Sequence, residues 1–299
     1  MRHHVVAPNE LSALRDLEFL TRATVEGLRQ GLHRSPFHGF NAEFSQYRRY
    51  RPGDDLKYVD WKAFARTDRL YSRQFRETTN LGALFVVDAS RSMAYPEGAQ
   101  SKFARAQAAA AVLATLVIDQ GDAAGLLALT GDQPRDTHYV PPRSGRHHLH
   151  VCLAELGRLR PASAIAVATS LRSAAALLRR RGLIVVISDF YEDAAALTEI
   201  RRLARMGHDV VVIHVVAREE MALPPGSGVE LIDLETGRRL VTSRDAVGDA
   251  YGRAVSEFLA GVELAVAREG LDYLRLMADE PLEPALRRFL IGRKGAGNR

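Results

Sequence analysis

Short runs of Val, Ile and Leu, separated by segments of helix length, constrain the fold of this chain more than any other feature. Residues 81–87, 183–188 and 209–216 are apolar at nearly every position. A strand with one wet face alternates apolar and polar residues, whereas a continuously apolar strand is buried on both faces of a parallel sheet. Such strands alternating with helices predict an α/β fold with a doubly wound, mainly parallel sheet, of the Rossmann-like type.

The same patterns divide the chain into elements. Residues 36–80 have no clean period and contain 10 of the 21 aromatic residues, with turn residues that predict a loop-rich extension. We predict a domain order of 1–80 (an N-terminal helix and this extension, packed on the main domain), 81–293 (the main domain, with a hairpin insertion at 229–243) and 294–299 (a flexible tail). The predicted strands are 70–78, 81–87, 123–130, 137–140, 183–188, 209–216 and 272–277, and the predicted helices are 11–33, 60–66, 101–118, 146–159, 167–181, 194–206, 246–268 and 282–290.

Composition narrows the class of protein. The chain is 46% hydrophobic and 26% charged, which is typical of a folded globular chain. Its single cysteine, Cys152, cannot form an internal disulfide, so a reducing compartment is expected and the predicted localisation is cytoplasmic. No apolar run reaches the roughly 18–20 residues of a membrane-spanning helix. The formal charge of +5 permits nucleic-acid binding without demonstrating it.

Acidic and hydroxyl residues follow two of the predicted strands. Asp88, Ser90 and Ser92 come after the first strand of the main domain, and Asp189 follows the strand at 183–188. In a doubly wound sheet, ligands bind at the carboxyl ends of the strands where the strand order reverses. Taken singly, each residue is typical of a helix cap. Together, these oxygens at alternate positions predict a site for a hard cation such as Mg²⁺ or Mn²⁺.

These residues resemble known sequence motifs. Asp88-x-Ser90-x-Ser92 looks like the metal-ion-dependent adhesion site (MIDAS) of von Willebrand factor A domains, and residues 187–189 resemble its second acidic loop. Residues 50–55, 59–67 and 70–71 (YRPGDD, VDWKAFART and LY) look like the signature of the DUF58 family of bacterial proteins. That family is von Willebrand A-like and is usually found beside MoxR-type AAA+ ATPases. The resemblance therefore implies such an ATPase as a partner.

One ligand that the resemblance implies is not clear from the sequence. The family site normally includes a further hydroxyl, usually a Thr before the helix that precedes the second acidic strand. Residues 161–169 read PASAIAVAT, so the ligand is Ser163, Thr169 or missing. Ser163 has the better spacing, whereas Thr169 has the expected residue type but falls inside a predicted helix. We place Ser163 in the predicted metal site.

The predicted ligands favour binding over catalysis. With Ser90 and Ser92 as neutral ligands, and Asp88 and Asp189 acting partly through water, an octahedral cation keeps an exchangeable position for a carboxylate of another protein. The prediction is a non-enzymatic, metal-assisted adaptor that works with a MoxR-type ATPase in client recruitment or remodelling. The alternative is a metal-dependent hydrolase, a phosphatase or nuclease, at the same crevice; an aspartyl phosphotransferase would need a second Asp where Ser90 stands.

Three other features are assigned to structure. His147, His148 and His150 lie at a predicted helix start without a nearby carboxylate pair, so a solvated helix end is favoured over a metal site. Cys152 falls inside the same helix and is predicted to be a core residue. The aromatic and basic stretch 36–80 is interrupted by acids, which favours internal packing over nucleic-acid binding, the third functional alternative.

Overall fold

The computed structural model describes residues 8–31, 44–49, 64, 66, 70–75, 82–130, 136–161, 167–178, 181–191, 194–224, 228–234 and 236–296. In chain order the elements are α1 (Pro8–Gly31), β1 (Phe44–Arg49), β2 (Tyr71–Phe75), β3 (Gly82–Val87), a 3-10 turn (Ser92–Ala94), α2 (Lys102–Asp119), β4 (Ala123–Leu129), β5 (Thr137–Arg143), α3 (Arg146–Arg158), α4 (Val167–Leu177), β6 (Leu183–Ser188), α5 (Ala194–Arg205), β7 (Asp209–Val216), a second 3-10 turn (Arg218–Glu220), β8 (Val229–Ile232), β9 (Arg239–Thr242), α6 (Arg244–Arg268), β10 (Asp272–Met277) and α7 (Leu282–Ala296).

The chain forms two compact units. One comprises Met1–Pro36 together with Gly82–Arg299, and the other comprises Phe37–Leu81. In the smaller unit, β1 and β2 pair antiparallel, with an irregularity in the register next to Phe44. The structure thus groups α1 with the main body. The predicted packing of the rest of the 1–80 segment on that body stays a prediction.

A six-stranded sheet forms the centre of the larger unit. Its strand order is β10-β7-β6-β3-β4-β5, and all neighbours are parallel except the β4–β5 pair at one edge. The strand order reverses at β3, because β4 lies on one side of it and β6 lies on the other. The predicted doubly wound, mainly parallel α/β fold is confirmed. The ends of β3 and β6 therefore lie where sheets of this type bind their ligands.

The central strands are continuously apolar because helices cover both faces of the sheet. Every residue of β6 is buried, and β7 is buried after its first residue. On one face, side chains of α4, α5 and α6 pack into the strand core. On the other, α2 contacts β3, β4, β6 and β7. Burying this many apolar side chains, at about 1.5–3 kcal/mol each, is what fixes the sheet.

Helix α2 positions one side of the crevice. Its Ala-rich sequence suits a helix packed closely on a sheet, and it begins where the hydroxyl of Ser101 accepts a hydrogen bond of 3.1 Å from the amide of Ala104. It ends before Gly121, whose φ of +87° is the left-handed conformation that glycine adopts without strain. The first residue of the helix, Lys102, is thereby held at the carboxyl edge of the sheet.

Helix α1 packs on α2, α3 and α7. Its buried stripe includes Val25 and Leu28, which are apolar residues of the predicted amphipathic helix. The hairpin of β8 and β9 forms a separate two-stranded sheet, close to its predicted place. Helix α7 extends through Ala296, beyond its predicted end at residue 290 and into the segment predicted as a tail. The remaining residues, 297–299, lie outside the described residues.

Candidate functional site

The two acidic loops meet at the reversal point of the sheet. Asp88 directly follows β3 and Asp189 directly follows β6, and these strands are parallel neighbours. The ladder extends one step beyond β3, because the amide of Asp88 donates a 3.0 Å hydrogen bond to the carbonyl of Ile187. The predicted proximity of the two loops follows from this register.

The first loop directs three oxygen-bearing side chains toward one region. The carboxylate of Asp88 accepts a hydrogen bond of 2.8 Å from the amide of Ser90 on Oδ1 and one of 2.6 Å from the hydroxyl of Ser188 on Oδ2. The hydroxyl groups of Ser90 and Ser92 form a hydrogen bond with each other, with their oxygens 3.0 Å apart. Ser92 begins the short 3-10 turn, and this turn brings its hydroxyl back beside Ser90.

The carboxyl group of Asp88 is costly to ionise in the absence of a cation. It is buried, and its pKa is raised from 3.8 to about 7, chiefly by burial and then by the charge of Asp189. Hydrogen bonds from Ser188 and Ser90 act in the opposite direction. Among the described residues, no lysine, arginine or histidine forms an ion pair with Asp88. A cation bound here would relieve the cost.

The second loop has a different partner, which the sequence analysis missed. The ammonium group of Lys102 donates to Oδ2 of Asp189 at 2.7 Å and to Oε1 of Glu220 at 2.5 Å. Lys102 is fully buried, although lysine is among the residues least often buried. Glu220 ends the 3-10 turn after β7, so this cluster joins three separate segments of the chain.

Aromatic side chains enclose the Lys102 cluster. The ammonium nitrogen of Lys102 lies 4.7 Å from the ring centroid of Tyr191, a cation–π distance. The Tyr191 hydroxyl donates to Glu220 at 3.4 Å, and its ring stacks on Phe258 at 5.1 Å. Burial is the main cause that raises the pKa of the Glu220 carboxyl, whereas the charge of Lys102 lowers it. The lysine thus partly offsets the cost of burying its acidic partners.

Phe190 shows where the backbone is strained. Its φ is +57°, in the left-handed region that residues other than glycine rarely adopt. The residue is buried, and its amide donates a 3.0 Å hydrogen bond to the hydroxyl of Ser188. Ser188 therefore holds both Asp88 and the backbone after Asp189. Strained backbone of this kind is concentrated at functional sites.

His214 of β7 contributes a buried aromatic wall next to this loop. Its ring packs edge-on against Phe190 and Phe258, and its Nδ1 lies 2.9 Å from the hydroxyl of Tyr273. Burial lowers its pKa to about 4, so the imidazole is neutral at physiological pH. A neutral ring adds no cationic partner for the two aspartates.

The predicted ligands differ in their positions and in their hydrogen-bond partners. Asp88, Ser90 and Ser92 are brought together, and Asp189 lies at the end of the adjacent strand but is paired with Lys102. Ser163 lies outside the described residues. Thr169 lies in α4, where its hydroxyl accepts a hydrogen bond from Arg172 at 2.9 Å. The ligand assignment as a whole stays a prediction.

The first loop fits a hard cation. Bonds of about 2.1 Å to Mg²⁺ at right angles would place two ligand oxygens about 3 Å apart, which is close to the separation of the Ser90 and Ser92 hydroxyls. Within the described parts of the chain, no group of three or more His, Cys, Asp or Glu side chains is arranged to hold a metal. A cation at this edge would therefore depend on hydroxyl and water ligands as well as carboxylates.

His148, His150 and Cys152 were the other metal and nucleophile candidates with described contacts. His148 contacts the carbonyl of Ala124 at 2.9 Å, and His150 lies 3.4 Å from Glu18 of α1, so these two rings have separate partners. Cys152 is buried, and burial raises the pKa of its thiol to about 11. A thiol with such a pKa is a poor nucleophile.

Comparison with known proteins supports the family suggested by the motifs. The family model described as "Protein of unknown function DUF58" matches residues 46–258. The chain belongs to the DUF58 family. An uncharacterised protein of Mycobacterium bovis and one of Mycobacterium tuberculosis are each 31% identical to this DUF58 protein, over 98% of its length and 93% of theirs.

Solved structures similar to this DUF58 protein include BatB of Bacteroides thetaiotaomicron, with a TM-score of 0.45 and 17% identity over 72% of this chain and 99% of that one. A von Willebrand factor type A protein of Catenulispora acidiphila has a TM-score of 0.34 and 14% identity, over 46% of this chain and 34% of that one.

Among the described helices, none has the length and apolar character needed to cross a membrane.

Proposed function

We propose that this chain is a non-enzymatic protein-interaction module whose crevice takes a divalent cation and, through it, a carboxylate of a partner protein. The observation that supports this function is the state of Asp88. Its buried carboxylate has no cationic partner among the described residues, and it lies in the same loop as two hydroxyl groups 3.0 Å apart. A group this costly to ionise is better explained by a bound cation than by a role in stability.

Different residues would hold such a cation directly, through water, or by orienting a ligand. Asp88, Ser90 and Ser92 would hold Mg²⁺ or Mn²⁺ in the first loop, with Asp189 acting through water and Ser163 as the further hydroxyl. When bound, the cation supplies an exchangeable position that a carboxylate can take. The Ser188 hydroxyl and the Ser90 amide keep the Asp88 carboxylate in one orientation. The site then binds a protein segment without transforming it.

The resemblance to DUF58 proteins suggests the partner. These proteins usually occur beside MoxR-type AAA+ ATPases, so we propose that the chain works with such an ATPase to recruit or present a client for remodelling. The candidate site lies at the carboxyl edge of the sheet, where sheets of this type bind their ligands. An Asp or Glu of the ATPase or of the client would be the group recognised.

Affinity capture from the native host, with Mg²⁺ or with EDTA, tests the proposal. We expect the wild type to retain a MoxR-type ATPase or a client in Mg²⁺ and to lose it in EDTA. Asp88→Asn should retain nothing in either buffer. Asp119→Asn, at the far end of α2, is the matched control and should behave as the wild type. Equal capture in EDTA and Mg²⁺ would refute metal-assisted binding.

An activity panel separates this function from hydrolysis at the same crevice. Phosphatase and nuclease substrates are incubated with the wild type and Asp88→Asn in Mg²⁺ or Mn²⁺. An adaptor gives no turnover above that of the variant. Turnover by the wild type that is lost in Asp88→Asn would establish the hydrolase instead.

A further inference from the structure

The Lys102 ammonium group is an internal cation that pairs with Asp189, and Asp189 follows the strand next to that of Asp88. Lys102 is completely buried and is held by Asp189 at 2.7 Å, by Glu220 at 2.5 Å and by the face of the Tyr191 ring at 4.7 Å. Burying an ammonium group is costly unless it is paired and hydrogen-bonded, and these partners supply both. The two carboxylates therefore hold it at this position.

This ion cluster changes the charge of the crevice. The edge of the sheet carries the carboxylates of Asp88, Asp189 and Glu220, and without the lysine a divalent cation would face three negative charges. Lys102 pairs with Asp189 and Glu220. Among these three carboxylates, that of Asp88 is the one without an ammonium partner. A divalent cation at Asp88, Ser90 and Ser92 is then neutralised only in part, because hydroxyl ligands carry no charge.

We propose that Lys102 sets the affinities of the crevice for its two ligands. It weakens the binding of the divalent cation, and it strengthens the binding of a carboxylate to the cation-loaded site. This inference rests on the proposed function, since it presumes a cation at the first loop. Both effects have the same electrostatic origin. Lys102 pairs with Asp189, whose own charge acts on Asp88. A buried positive charge there repels the incoming cation and attracts the anion that follows, and low dielectric strengthens both interactions.

The opposite signs of the two effects give a sharp test. Mn²⁺ binding is measured by calorimetry for the wild type, Lys102→Met and Glu220→Gln, with circular dichroism to verify folding. We expect Lys102→Met to bind Mn²⁺ at least about ten-fold more tightly than the wild type. Glu220→Gln, which removes a negative charge and leaves the lysine with Asp189, should bind it more weakly.

Acetate is the probe for the second effect. Its methyl protons relax faster when the anion lies beside bound Mn²⁺, so nuclear magnetic relaxation reports its affinity for the loaded protein. Loaded Lys102→Met should bind acetate about ten-fold more weakly although it binds Mn²⁺ more tightly. Loaded Glu220→Gln should bind acetate more tightly, so the inference can be tested even if Lys102→Met does not fold.

Arg105→Met is the matched control, because Arg105 is a second cation of α2, one turn along, and donates instead to the carbonyl of Ala278. Its Mn²⁺ and acetate affinities should stay within about three-fold of the wild type. Unchanged affinities in folded Lys102→Met, or changes of the same sign, overturn this inference alone. A wild type that binds no Mn²⁺ overturns the proposed function with it.

Discussion

Asp88 and Asp189 follow adjacent parallel strands and both are buried, yet the groups that bind them differ in charge. Asp88 accepts hydrogen bonds from the neutral groups of Ser90 and Ser188, and Asp189 accepts one from the ammonium of Lys102. A hydroxyl or amide donor stabilises a carboxylate without cancelling its charge. One aspartate is therefore paired with a cation inside the fold, and the other has no cationic partner among the described residues.

Removing the internal cation should have the largest effect on stability. Lys102→Met leaves Asp189 and Glu220 buried without their ammonium partner, and breaking one side of a buried ion pair costs about 3–5 kcal/mol. The loss is measured by urea unfolding in EDTA at pH 8. Arg29→Met is the control, because the Arg29–Asp119 pair lies at the surface and such pairs contribute less than about 1 kcal/mol. A loss as small as that of the control would contradict the buried-pair account.

Removing the charge of the other aspartate should act in the opposite direction. The folded-state pKa of Asp88 is raised from 3.8 to about 7, so the folded chain binds more protons than the unfolded chain in that window. Its contribution to the free energy of unfolding is therefore present at low pH and is lost as pH rises toward 7. Asp88→Asn should stabilise the metal-free protein by up to about 4 kcal/mol at pH 8 and by almost nothing at pH 3, below the unfolded-state pKa.

The pH dependence is best measured as a difference between wild type and variant. His214 has a lowered pKa of about 4, so its contribution rises with pH over part of the same range. Because it is the same in both proteins, the difference isolates Asp88. A variant that is less stable than the wild type at pH 8 would show that Asp88 is a structural residue.

The two serine hydroxyls of the first loop allow a smaller and more specific change. Ser90→Ala and Ser92→Ala should each weaken Mg²⁺ binding about ten-fold, which corresponds to about 1.4 kcal/mol. Their effect on unfolding in EDTA should be below about 1 kcal/mol, because neither hydroxyl anchors the core. Ser173→Ala in α4, whose hydroxyl bonds within its own helix, should leave Mg²⁺ affinity unchanged. Equal Mg²⁺ affinity in all three variants would remove the serines from the site.

Substitution of Tyr191, the aromatic residue beside Lys102, should have the smallest effect on the free energy of unfolding. Tyr191→Phe keeps the ring beside Lys102 and removes only the 3.4 Å contact of the hydroxyl with Glu220. We expect a loss below about 1 kcal/mol in thermal or urea unfolding. Tyr191→Leu, which removes the ring as well, should cost more. Equal losses would mean that the cation–π contact contributes nothing.

The regular elements of the main domain were predictable because burial on both faces leaves a simple apolar pattern. The bounds of β6, β7 and β10 agree with the prediction, and the helices differ mainly at their ends, where capping is decided locally. Strand β1 was missed because its sequence, FSQYRR, has neither an apolar run nor a regular alternation. Such strands are set by pairing with a partner rather than by their own pattern.

The candidate site was predictable only in part, because some of its residues are close together in the sequence and others are far apart. Asp88, Ser90 and Ser92 lie in one short loop, so their spacing already indicates convergence. Lys102 meets a carboxylate 118 positions later, and a lysine in the first turn of a helix is ordinarily exposed. No local pattern signals that contact; only the three-dimensional arrangement of α2, β6 and β7 brings it about.

The most direct test of the contrast between the two aspartates is a calorimetric titration with Mn²⁺ of the wild type, Asp88→Asn and Asp119→Asn at pH 8. We predict one Mn²⁺ per chain for the wild type and for Asp119→Asn, and no binding for Asp88→Asn in its folded state. Equal binding by all three proteins, or no binding by the wild type, would contradict the assignment of Asp88 to a divalent cation.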